Sequence, residues 1–247
     1  MSDTQRDRKN GDTGRDRDVG QSADRRGLEG AEARILLRPI ASPLALGFLA
    51  LGGATVVLSG QQLGWIPARE AEYVAFALMA FGFPLQLLAA VFGFLARDAV
   101  AATGMGVLAG SWLVVGLVTY ASPPGSTSAA LGTFLLFAGA ALLVPAAGAA
   151  LGKLVPALVL LTAAVRFALT GAYQLTGGPG WQGAAGVVGL VLLGIAFYAA
   201  LALEIEGIKR KTVLPVLRRG EGRSAVEGDL GDQLRSVENE AGVREQL

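Results

Sequence analysis

LVPALVLLTAAVRFALTGAYQL, residues Leu154–Leu175, is apolar almost throughout and carries one formal charge, Arg166. As a helix rising 1.5 Å per residue it is roughly 33 Å long, enough for a hydrocarbon core of about 30 Å. Five further stretches share its character: Pro43–Leu63, Tyr73–Leu95, Ala99–Tyr120, Ala129–Leu151 and Ala184–Leu203. Polar or turn-forming segments such as Ser122–Ser128 and Thr176–Gly180 separate them. Backbone groups in lipid must be satisfied within their own segment, and these runs are too long for barrel strands. The sequence therefore reads as an all-α membrane protein with six transmembrane helices surrounding a central pathway.

Composition supports that reading. Hydrophobic residues make up 52% of the 247, charged residues only 17%, and there are 35 glycines. A soluble domain carries about 25% charged residues. The charge is concentrated at the two ends, which sets three regions: a charged tail over 1–38, a six-span domain over 39–206, and a second charged tail over 207–247. Few apolar residues interrupt the Arg, Asp, Gly and Ser of the first tail, so it is expected to be disordered, and the second largely so. The net charge of +1 is a sum over tails and core and gives no reason to expect a nucleic-acid partner. With no Cys and no His, disulfides, Cys/His metal sites and His-based catalysis are excluded. No cofactor, metal or enzymatic activity is expected.

Lys and Arg set the orientation. Nine precede residue 39 and eight follow residue 206, on what six spans make the same side. Arg97 and Lys153 fall in the connections on that side, and only Arg69 in the opposite ones. By the positive-inside rule both termini are cytoplasmic, in an inner (plasma) membrane protein with no visible cleavable signal. The very short inner links Ala96–Asp98 and Gly152–Lys153 make antiparallel hairpins of spans two and three and of spans four and five. The cluster Lys209-Arg210-Lys211 is either a topogenic stop signal or a contact for anionic lipid headgroups.

Arg166 is the one formal charge inside the spans. A charge at that depth costs about 2.5–3.5 kcal/mol on insertion scales, so it requires partners, water or a guest. At helical period it belongs to a stripe, Thr162, Arg166, Thr170 and Tyr173. No Asp or Glu lies at comparable depth. Its planar fork suits a carboxylate, and the alternative is a structural arginine bonded to helix carbonyls. Gln86 is a second polar group at mid-depth, fit for interhelical packing or ligand contact. Pro43, Pro84, Pro145 and Pro156 interrupt the apolar runs, as in transporters that expose backbone groups to substrate. Arg166, Thr162, Thr170, Tyr173, Gln86 and Pro43 are placed along the expected substrate path.

Four anchors within residues 38–216 resemble the acetate uptake transporter family, the succinate–acetate permeases. Ser42-Pro43-Leu44-Ala45-Leu46-Gly47-Phe48 is similar to that family's Asn-Pro-Ala-Pro-Leu-Gly-Leu signature. Gln86 precedes a small-residue stretch, Thr103 is followed nine residues on by Trp112-Leu113, and a basic residue precedes Thr212-Val213-Leu214-Pro215. The signature's Asn and first Pro are missing, with Ile40 and Ala41 roughly in their place, and Ala45 stands for a Gly. The resemblance implies six spans, a homo-oligomer (a hexamer with one pathway per subunit) and a constriction of Phe, Tyr and Leu. Phe48, Leu108 and Ala163 fall at those positions, so the Tyr is lost and the Leu shrunk. Arg166 replaces an apolar residue. The expectation is a transporter or channel for small monocarboxylates such as acetate, or for other small anions, in contact with membrane lipid. The alternative is a structural or accessory membrane subunit that transports nothing.

Overall fold

A computed structural model of the chain describes residues 41–209 and 211–218. The first charged tail and residues 219–247 of the second lie outside the described residues, as does Arg210 of the basic cluster. Six helices are long and apolar enough to cross a membrane, and the described residues form no strand. They are α1 (Leu44–Gln62), α2 (Ala68–Leu95), α3 (Ala99–Ala121), α4 (Ala129–Gly152), α5 (Leu154–Thr176) and α6 (Pro179–Lys209). Each packs against its neighbours in sequence, and α6 packs back on α1, so the six close into a ring. Large apolar side chains such as Phe137, Val144 and Phe197 are exposed on the outer faces, as suits lipid, whereas the inner contacts are rich in Ala and Gly. The chain is a multi-pass membrane protein.

Two helices outrun their apolar stretches. α2 begins at Ala68, ahead of Tyr73, and α6 runs from Pro179 through Glu204 and Glu206 to Lys209 rather than from Ala184 to Leu203. Hydropathy registers the width of the hydrocarbon, and a helix continues past it wherever its end residues reach water. Local chemistry sets the other boundaries. The Asp98 side chain accepts from Ala101 N (2.9 Å) to cap α3, and Ser128 Oγ accepts from Leu131 N (3.2 Å) to cap α4. Gly177, at φ +68°, ends α5 in the left-handed conformation.

Within α2, residues Leu78–Gly82 form a π-helical turn. Pro84 follows it and has no N–H to offer the Ala80 carbonyl one turn back, and the wider turn absorbs that loss. The turn presses Phe81 on Gly53 of α1 and seats Gly82 between Ala54 and Trp112.

Residues 211–218, read from composition as part of the tail, return to the bundle. Val216 is fully buried. The carbonyls of Leu217 and Val216 accept from Leu154 N (3.2 Å) and Val155 N (3.3 Å), two N–H groups that the start of α5 leaves without intrahelical partners. Tyr198 Oη donates to Pro215 O (3.0 Å), and Arg218 pairs with Glu206. At this junction burial, and then the charge of Arg218, hold the Lys153 ammonium below the ordinary lysine range, while Asp98 and Glu206 pull the other way.

The α2–α3 crossing depends on Gly93. A Cβ there would stand 2.7 Å from Ala102 N and 3.0 Å from its Cα, backbone atoms with no side chain to yield. Gly93→Ala is therefore expected to destabilise the protein by about 1–3 kcal/mol in detergent unfolding. Gly106→Ala, whose Cβ would meet only Ala90 Cβ at 3.8 Å, is the control. It should be neutral or stabilising through helix propensity, and equal melting of the two variants would overturn the close-approach argument.

Candidate functional site

α5 brings Arg166 to the ring interior. Its side chain is fully buried, and it makes no ion pair among the described residues. Nη2 donates to Ser59 Oγ (3.4 Å) and Gln62 Oε1 (3.5 Å), both on α1. Gln62 Nε2 in turn donates to Thr170 Oγ1 (3.2 Å), one turn along α5 from Arg166. These bonds satisfy one nitrogen of the guanidinium. Nε and Nη1 are buried and have no hydrogen-bond partner among the described residues. The guanidinium lies over the Trp112 ring, with Cζ 5.7 Å from its centroid, and Trp112 meets Phe167 edge-on at 5.9 Å.

Above this cluster, between the helix ends where the loops around 64–67 and 122–128 gather, opens a vestibule of about 300 Å³. Gln62 and Thr170 line it together with Tyr173, Gln174, Gln182 and Ser128, and no charged side chain does. Below it, toward the end holding residues 96–98, 153 and 211–218, come Phe48, Leu108 and Ala163. Leu108 and Ala163 are about one turn beyond Trp112 and Arg166 on their helices. All three are fully buried in one apolar cluster. The order along the axis is a vestibule without charged side chains, the buried Arg166, and a layer of buried apolar residues that includes Phe48, Leu108 and Ala163.

Of the residues singled out from sequence, Arg166 and Thr170 meet through Gln62, and Tyr173 lines the vestibule. Thr162 stands apart: it is half-buried and its hydroxyl donates to Leu158 O (2.7 Å) in its own helix. Gln86 is fully buried toward the same end as Phe48 and Leu108. It donates to Gly47 O (3.1 Å) and Met105 Sδ (3.7 Å), joining α2 to α1 and α3. Pro43 starts α1, its carbonyl accepting from Gly47 N (3.1 Å).

Sequence reasoning missed the α1 side of the cluster. Thr55, Ser59 and Gln62 recur at spacings of four and three, a polar face on an apolar helix, and all three are buried. That periodicity was the available signal. Gly189 of α6 carries no side chain to notice: a Cβ there would overlap Ser59 Oγ and stand 2.6 Å from Arg166 Nε.

No family model and no curated protein matches the chain. Among solved structures the fold is similar to one described as the structure of the bacterial acetate channel SatP. The TM-score is 0.64 at 22% identity, over 72% of this chain and 99% of that one. The likeness is one of fold.

Proposed function

We propose that the chain is a channel or transporter for small monocarboxylates, with Arg166 as the point at which the anion binds. The observation that carries this reading is a fully buried guanidinium whose Nε and Nη1 have no hydrogen-bond partner among the described residues, and which is bonded to Gln62 of the vestibule lining. Desolvating a cation without a counter-charge is expensive, and a carboxylate guest is the complement that the neighbouring Ser, Gln and Thr are not. The fold likeness to an acetate channel supports the same class of cargo. One cation favours one negative charge, and the apolar plug of Phe48, Leu108 and Ala163 favours a short apolar tail.

The guest sheds water in the vestibule, takes the hydrogen bonds of Gln62, Ser59 and Arg166, and leaves past the plug. The polar groups named along this path are hydroxyls, amides, an indole and a guanidinium, so a proton crossing with the guest travels on the guest itself. The positive-inside count puts the plug end on the cytoplasmic side of an inner membrane. The path runs inside one ring of helices, so every subunit of an assembly, a hexamer included, carries its own.

Purified protein in liposomes tests this reading with a panel of labelled acetate, lactate, succinate, chloride and urea. Saturable acetate and lactate flux well above that of empty liposomes is expected, with succinate and urea passed poorly. Urea flux equal to acetate flux, or no anion flux at all, would overturn it.

A further inference from the structure

We propose that Trp112 is a second donor to the bound anion: its indole N–H takes one carboxylate oxygen while Arg166 takes the other. This rests on the anion-pathway reading and names a binding residue and a guest geometry that the reading leaves open.

The Trp112 ring is fixed on several sides. Arg166 lies over its face, Phe167 meets it edge-on, and Gly82 of the π-helical turn is so close that a Cβ there would stand 3.3 Å from Trp112 Cγ. The side chain is fully buried, and Nε1 has no hydrogen-bond partner among the described residues. A buried indole N–H usually finds an acceptor. Here it stands beside a guanidinium whose Nε and Nη1 are likewise unpartnered. Indole and guanidinium nitrogens can only donate, so these groups cannot satisfy one another. Water accepts but brings two protons that need acceptors of their own. A carboxylate is acceptor-only, with two oxygens and about four lone-pair sites, and so matches a set of donors borne on two different side chains. A spherical halide offers one centre to both.

The chain has three tryptophans, and Trp65 and Trp181 are exposed near the vestibule end. In a Trp65→Phe/Trp181→Phe background, Trp112 is the sole reporter. Adding acetate at constant ionic strength should give a saturable change in its emission. It should also shift the hydrogen-bond-sensitive indole band in the ultraviolet resonance Raman spectrum, and both effects should vanish with Arg166→Leu. Trp112→Phe keeps a ring and removes the N–H. By calorimetry it should weaken acetate binding on the order of tenfold or more, as for loss of a hydrogen bond to a charged group. Chloride binding should weaken less. The Raman arm retains the native Trp112, so it decides the matter even where the Phe variant does not fold. An unshifted indole band at saturating acetate, or unchanged acetate affinity in Trp112→Phe, overturns the proposal while leaving Arg166 as the anion site. Absence of acetate binding and flux in the wild type overturns both.

Discussion

Arg166→Leu is expected to lower carboxylate flux by about 100-fold or more while the protein still folds and inserts. Each hydrogen bond between charged partners contributes about 1.5–3 kcal/mol, and the substitution removes two or more, at roughly tenfold per 1.4 kcal/mol. Folding should survive because Arg166 contributes little to it. Its hydrogen bonds to Ser59 and Gln62 are long, two of its nitrogens are unpartnered, and Gln62 keeps its bond to Thr170. Replacing a buried, incompletely paired charge with an apolar residue of comparable volume is commonly neutral or stabilising. Arg166→Lys should retain part of the flux with a raised KM, since the ammonium keeps the charge and loses the planar fork. Labelled acetate uptake into proteoliposomes, with melting followed in parallel, makes the measurement. Wild-type uptake by Arg166→Leu would remove the residue from the pathway.

What could be read in advance follows from the size of each signal. Transfer of about 20 apolar residues into lipid is a large free energy, so hydropathy alone places six helices. A charge at mid-span is nearly as conspicuous, and Arg166 stands where its sequence position puts it, buried on the inner face of α5. Neutral polar groups are a weaker signal. Thr162 and Ser59 look equivalent on paper, yet Thr162 bonds its own helix while Ser59 turns to Arg166. A hydroxyl in a membrane helix can always reach the carbonyl four residues back, so only the neighbouring helix decides its use. The α1 face of Thr55, Ser59 and Gln62 is legible as a period, but its partner on α5 is not. The return of residues 211–218 is set by orphan N–H groups at the start of α5, which become visible only once that helix end is in place.

The absent side chain at position 189 leads to the second large expectation. Gly189→Ala should reduce acetate flux by roughly tenfold or more, with little change in the amount of folded protein. The added Cβ would overlap Ser59 Oγ and stand 2.6 Å from Arg166 Nε. α6 cannot easily retreat as a unit. It also packs on α1 and the residue after it elsewhere, where a Cβ at Gly186 would meet Leu63 Cγ at 2.7 Å and one at Gly52 would meet Leu193 Cδ1 at 3.1 Å. Ser59 Oγ has to turn away, and the guanidinium, at the end of a flexible stem, has to move as well. Its Ser59 contact and its place over Trp112 are then lost together. A double-mutant cycle separates this from general damage to packing: once Arg166→Leu has removed the guanidinium, Gly189→Ala should lower flux little further, whereas independent effects would multiply. Wild-type flux in Gly189→Ala would mean that the guanidinium has room to spare and that its seat is not set by the bare backbone of α6.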